Sequence, residues 1–475
     1  MGSNLEEAGQ KAIVGEVVHM GEQLILPEGM SFQDAITLIQ SRERYLTEEV
    51  AISRTFNVFP WDGAHALKRC IEAKFGWAQG VTVETFFGNH PPKEIDIEIS
   101  HDRKESILWG RIELPNVSGF IECGFSGNNG QICFEADARV LRKDEATIKD
   151  LFDRVDKYLK TDSIYIGKAI KIQFTDRDGD DYHIPQIKFM NTSEYTREKL
   201  IYSEGITESI ETNLFTPIER IEDCIENDMP VKRGVLLGGP YGTGKTLAAS
   251  VAANIAEANG VTYIYVSKAE ELPQAIKFAE QYSQKGCVVF CEDIDRAVTG
   301  PRSVKVDDIL NIIDGIDTKT SKIITVLTTN HIENINAAML RPGRLDAIIN
   351  VLPPNAKAVE SLIRHYGSGT VKDSEDLSEA GELLAGCIPA VIAEVMKRAK
   401  LAQLRLQPPG TKIENISADA IEISARSMRE QVDLLDAQSN KAEPEITIDK
   451  LLGEAVSNSL NGTKERVREI HRQIV

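Results

Sequence analysis

The run Gly239-Pro240-Tyr241-Gly242-Thr243-Gly244-Lys245-Thr246 has the chemistry of an anion cradle. Glycines let backbone N–H groups turn inward on phosphate oxygens, and a helix starting near Leu247 would aim its positive end at the same charge. The Gly-x-x-x-x-Gly-Lys-Thr spacing places Lys245 to reach β- and γ-phosphates and Thr246 to ligate Mg²⁺ through its hydroxyl. The context is the required one: apolar Gly234-Val235-Leu236-Leu237 leads in and helical Leu247-Ala248-Ala249 leads out. ATP with Mg²⁺ is therefore the expected ligand, held by the stretch from Gly239 to Leu247.

A second cluster lies downstream. Cys287-Val288-Val289-Phe290-Cys291 is a continuous apolar strand ending in Glu292-Asp293-Ile294-Asp295. In α/β sheets the C-terminal strand edge is where chemistry collects. One carboxylate there can hold hydrated Mg²⁺ while the other orients an attacking water. Cys287 and Cys291 read as small buried hydrophobes. A further apolar strand, 323–327, ends in the polar tip Thr328-Thr329-Asn330.

The elements that must position these groups follow from periodicity. After Gly234, apolar strands alternate with helical stretches, the pattern of a parallel α/β sheet, and beyond about residue 355 the chain reads as helix. Upstream, helical patterns at 31–39 and 62–75 give way to alternation at Ile95, Ile97 and Ile99. Strands are expected at 107–114, 119–125 and 132–140, the last two joined at Asn129-Gly130, a hairpin signal. A helix at 145–159 and strands at 170–174 and 184–189 complete an α+β region. The acids of DRDGDD, 176–181, read as a solvated hairpin tip, since their glycine is misplaced for a calcium loop.

The expected organisation is a poorly ordered segment 1–27, an α+β substrate or partner domain 28–190, a linker 191–214, an α/β nucleotide-binding subdomain 215–355, a helical subdomain 356–440 and a helical extension 441–475. At 475 residues, several domains are expected. The formal charge of −19 disfavours unaided binding to nucleic acid or anionic membrane. Seven scattered cysteines without a Cys-x-x-Cys fit a reducing, cytoplasmic setting. No run of about 18 apolar residues predicts a membrane span.

Taken together, GPYGTGKT, VVFCEDID, TTN and LRPGRLD resemble the AAA family of P-loop ATPases, over about residues 205–430. The resemblance implies an α/β P-loop sheet with a C-terminal helical lid, ATP hydrolysis, and a homo-oligomeric ring of six. It gives Glu292 and Asp293 the acidic-pair positions, with Thr246 and Glu292 toward the metal, and makes Asn330 the polar sensor. Arg344 falls on the arginine finger that reaches the neighbour's ATP, with Arg341 beside it.

The departures are as informative. The acidic pair runs Glu-Asp where the family has Asp-Glu, leaving open which acid orients water. Ala347 stands where a second arginine is usual. The strand around 263–266 leads through SKAEEL and Pro273 straight into a helix, without room for an aromatic pore loop, and Phe278 there reads as a core contact. These features resemble the AAA branch that contains the mitochondrial Rieske-protein translocase. The leading expectation is a ring motor that remodels or disassembles a protein partner. A loader or clamp-type nucleic-acid ATPase, or an ATP-binding switch with slow turnover, is the alternative.

Overall fold

The computed structural model describes residues 13–14, 17–20, 23–25, 30–85, 88–128, 131–176, 181–294, 321–332, 345–405 and 407–439. It divides into two compact units, 1–352 and 353–475. Among the described residues, no helix is long and apolar enough to cross a membrane.

Within 1–27, the described residues are strand. Short strands β1 (Ile13–Val14), β2 (Val17–Met20) and β3 (Gln23–Ile25) form an antiparallel sheet. Helix α1 (Phe32–Leu46) follows, and the Ser31 hydroxyl caps it by accepting from the Asp34 N–H. Strand β4 (Glu49–Phe56) leads to α2 (Pro60–Phe75), which opens on a proline at its first position and closes on Gly76. Short β5 (Gln79–Gly80), β6 (Val83–Thr85) and β7 (Gly88–His90) precede β8 (Lys93–Ser100) and β9 (Arg103–Trp109). The single strand expected over 107–114 breaks at Gly110, which has φ +92°, and resumes as β10 (Arg111–Glu113).

Strands β11 (Gly119–Asn128) and β12 (Gln131–Leu141) pair with Asn128 opposite Gln131, the register of a two-residue hairpin; Asn129 and Gly130 lie outside the described residues. Helix α3 (Glu145–Thr161) buries Ile148, Leu151, Phe152, Val155 and Leu159, one face at helical spacing. The five-stranded sheet has the order β4-β12-β11-β10-β5, and α2 and α3 pack together on it. Its aromatic centre is Phe56 against Phe134 and, edge-on, Phe152.

Strands β13 (Ala169–Thr175) and β14 (Asp181–Phe189) form where strands were expected but belong elsewhere. They join the second sheet instead of the 28–190 domain. After them come α4 (Glu204–Ile210), a π turn (Glu211–Phe215), α5 (Thr216–Glu219) and α6 (Ile221–Glu226). Strand β15 (Arg233–Gly238), helix α7 (Lys245–Ala258), strand β16 (Thr262–Val266), helix α8 (Leu272–Gln281), and strands β17 (Cys287–Cys291), β18 (Ile323–Thr329) and β19 (Ala347–Asn350) complete the unit. The order is β14-β13-β16-β17-β18-β15-β19, parallel except for β14. Strand β13 pairs with β16 from Ala169 opposite Tyr263, closing an edge that would otherwise be bare. Nor is 191–214 a simple linker, because Ile210, Leu214 and the following Phe215 are buried in the core beneath α7.

The front sheet and the parallel sheet share one core. Phe278 and Tyr282, at the end of α8, pack on Phe59 and Tyr165 of the front region. Phe278 is thus the core contact its spacing predicts. The Tyr282 hydroxyl accepts from the Phe59 N–H at 2.7 Å. It also bonds the fully buried Asp62, whose carboxylate accepts from Ser163 Oγ at 2.6 Å and the Ile164 N–H at 3.0 Å.

The second unit is helical. Helix α9 (Ala356–Gly367) is capped by the Asn355 side chain, and α10 (Ser378–Leu384), α11 (Pro389–Arg405) and α12 (Ala418–Ser439) pack with it around Val359, Ile363, Leu384, Ile392 and Ile421. The extension 441–475 lies outside the described residues.

Burial pushes the Asp62 carboxyl up from 3.8 to about 6, against its three hydrogen bonds, which pull it down. A raised carboxyl favours the protonated fold, so its contribution to stability is present below about pH 4 and lost as pH rises to about 6. The loss amounts to about 3 kcal/mol at most. Asp62→Asn should remove that step: denaturant midpoints at pH 5 and 7.5 should differ less than in the wild type. An unchanged pH difference would show that Asp62 does not titrate in this way.

Candidate active site

The phosphate loop is shaped by contacts that glycine alone permits. Gly239 has φ +143°, and a Cβ there would sit 2.3 Å from the Val351 carbonyl oxygen. Gly244 has φ +98° at the entrance to α7, where a Cβ would meet the Tyr202 ring and hydroxyl. Tyr202 donates to the Gly244 carbonyl at 2.7 Å, so the 191–214 segment holds the loop from below. Thr243 Oγ1 donates to the Pro240 carbonyl at 3.0 Å. Lys245, only 6% exposed, donates from Nζ to the carbonyls of Gly239 and Pro240 at 2.7 and 2.8 Å. Its ammonium thus lies inside the turn, at the mouth of the α7 N-terminus. Tyr241 is exposed at the loop tip, edge-on to His331, with ring centroids 6.3 Å apart. Leu247 lies in the first turn of α7.

Two strands away in the sheet, β17 delivers the acidic pair to the same edge, and the two acids part company. Glu292 Oε1 accepts from Thr246 Oγ1 at 2.5 Å, and Oε2 accepts from the Tyr265 hydroxyl at 2.7 Å. Asp293 turns the other way. Its backbone has φ +47°, uncommon for a residue with a side chain, and its N–H donates to Thr328 Oγ1 at 2.9 Å. Its Oδ1 accepts from Asn330 Nδ2 at 2.8 Å. The Thr246 hydroxyl with the Glu292 carboxylate is a hard-oxygen donor set beside a phosphate cradle, which fits Mg²⁺.

The structure therefore brings Gly239 to Leu247, Glu292, Asp293 and Asn330 to one edge of the sheet. Arg341 and Arg344 lie outside the described residues. Sequence reasoning missed Tyr202 and Tyr265. Two tyrosines in the buried strand Thr262-Tyr263-Ile264-Tyr265-Val266 were a readable signal, since a buried phenol needs a partner. Burial, and then its bond to Glu292, push the Tyr265 phenol well above its ordinary range. Tyr202 belongs to no motif.

A phosphate loop on a parallel sheet, with a polar tip on the adjoining strand and carboxylates on the next, defines a P-loop nucleotide site. Residues 235–352 match the family model described as "ATPase family associated with various cellular activities (AAA)", and this part of the chain is an AAA ATPase domain. The chain is similar to the "Cell division cycle protein 48 homolog" of Archaeoglobus fulgidus, 32% identical over 38% of this chain and 26% of the relative. It is 26% identical to the mouse "Nuclear valosin-containing protein-like", over 54% of this chain and 32% of that one. With the Arabidopsis thaliana "26S proteasome regulatory subunit S10B homolog B" it shares 30% identity, over 36% and 45% of the two chains. The chain thus spans less than half the length of each of these relatives.

Proposed function

We propose that the chain hydrolyses ATP to ADP and phosphate as a homo-oligomeric ring, six subunits by family habit, and remodels or disassembles a protein partner engaged by its front region. The observation that carries the catalytic part is the division of the acidic pair: Glu292 bonded to Thr246, Asp293 bonded to Asn330.

In this reading the amides of the loop wrap the phosphates and Lys245 neutralises the β- and γ-oxygens. Thr246 and Glu292 would hold Mg²⁺, which would supply positive charge against that of the phosphates. Asp293 takes a hydrogen bond from the attacking water, and Asn330 holds its short side chain in place. Arg344, with Arg341 beside it, reaches the neighbour's site and stabilises charge on the transferred phosphoryl group. One relative is by name a proteasome regulatory subunit, which favours a protein as the thing acted upon. The charge of −19 speaks against nucleic acid. The Glu-Asp order and the short segment after β16 support the likeness to the Rieske-translocase branch as a motor subtype.

The division of the acids is directly testable. Asp293→Asn should keep ATP bound and stop turnover, leaving a stable loaded ring. If Glu292→Gln stops turnover and Asp293→Asn does not, the two roles are reversed.

Arg344→Ala should leave nucleotide binding by the isolated subunit nearly intact and lower turnover by about 10³-fold or more. Mixed with a Lys245→Ala subunit, it should regain partial activity, because an intact finger then serves an intact site across the interface. No recovery in verified mixed rings would count against action in trans.

The partner is not threaded through the ring. Threading machines grip with aromatic loops after the second strand, whereas here that segment runs directly into α8, whose Phe278 is buried against Phe59 and Tyr165. Motion then reaches the partner through the front region, which shares a core with α8. A tightly folded fluorescent protein fused to the captured partner should survive ATP turnover. Its global unfolding, abolished by mutating Ser267 to Leu272 while ATPase persists, would overturn this.

A further inference from the structure

The acid that faces the metal side of the site has a second partner to which nothing in its sequence motif assigns a role. We infer that Tyr265 is a positioning residue that sets the orientation of the Glu292 carboxylate and thereby the affinity of the site for its divalent cation. The inference rests on the reading of Thr246 and Glu292 as the cation's protein contacts.

A carboxylate on a flexible stem can rotate about its last torsion, and a hydrated cation senses that rotation because its water shell must meet specific oxygen lone pairs. Here both oxygens are engaged from opposite sides. Oε1 accepts from Thr246 at 2.5 Å and Oε2 from Tyr265 at 2.7 Å. Two donors fix the plane of the group and leave its remaining lone pairs for ordered water or metal. The donor is itself immobilised. Tyr265 lies opposite Lys171 of β13 and opposite Phe290 of β17 in the two parallel registers. The Lys171 ammonium sits 4.9 Å from the Tyr265 ring centroid, and the Phe290 ring 5.5 Å from it. A cation over the ring draws on its electron density and strengthens the O–H as a donor.

The arrangement also gives β13 a reason to be where it is. Strand β13 supplies the ammonium that lies over the Tyr265 ring. Lys171 thus acts on the cation through Tyr265, and Tyr265 through Glu292.

The test uses the full chain and Tyr265→Phe, which keeps the ring and removes only the hydroxyl. Binding of Mn²⁺ with ADP present, read by electron paramagnetic resonance, should weaken by about tenfold, the scale of one hydrogen bond to a charged group. The Mg²⁺ concentration giving half-maximal turnover should rise in step. Nucleotide affinity in EDTA, and turnover at saturating Mg²⁺, should stay within about twofold. Lys171→Met should move Mn²⁺ binding the same way by a smaller factor.

Glu292→Gln separates the two levels of the argument. If it weakens Mn²⁺ binding while Tyr265→Phe leaves it unchanged, the role of Tyr265 is refuted and the metal reading stands. If Glu292→Gln itself has no effect on Mn²⁺, the underlying reading fails. If Tyr265→Phe lowers nucleotide affinity in EDTA and melting temperature together, without a cation-specific shift, the hydroxyl is a packing device and the inference is overturned.

Discussion

A helix buried on both sides cannot move independently of either neighbour, and α8 is such a helix. One side lies on β16 and β17, the strands that bear Tyr265 and the acidic pair; the other is held by the front region through Phe278, Gln281 and Tyr282. Within the helix only Lys277 and Glu280 are exposed. Displacing it would empty an aromatic cluster and leave Asp62, Tyr282 and the Phe59 amide short of partners. Lost core contacts and unpaired buried polar groups each cost on the order of kcal/mol, so the two regions of this unit are mechanically one body.

At the nucleotide edge the same logic operates through hydrogen bonds. Neither carboxylate is free to choose its direction. Glu292 is held by a helix residue and a strand residue; the Asp293 carboxylate is held by Asn330, and its backbone N–H by Thr328. The left-handed backbone at Asp293 lets consecutive side chains diverge toward different partners, when a plain strand would send them to opposite faces. Pre-set polar groups of this kind need not reorganise during a reaction, which is where much catalytic advantage arises.

The sequence was most readable where function is contiguous. The phosphate loop, its flanking strand and helix, and the two acids each lie within a few residues, so spacing alone locates them. The helices over 31–39 and 145–159 and the strands on either side of Asn129-Gly130 were legible for the same reason. The sheet that β13 and β14 join was misassigned because a hairpin announces its own pairing but not the sheet it belongs to. The parallel neighbour of β13 lies in β16, far along the chain, and no local pattern encodes that choice. Tyr202 escaped for a like reason, since its partner is a backbone carbonyl and carries no side-chain signature.

The pairing of β13 with β16 bears on how such a chain is inherited. A cut at residue 190, between apparent modules, would carry away two strands and strip the Tyr263-to-Val266 edge of its ladder. A unit cut to keep this sheet whole therefore begins before Ala169, and the sheet includes a piece that looks, in one dimension, like part of the front region. A lineage that swapped its front region would have had to keep those two strands or replace them with another edge. Modularity in this chain is written across the sheet and not along the sequence.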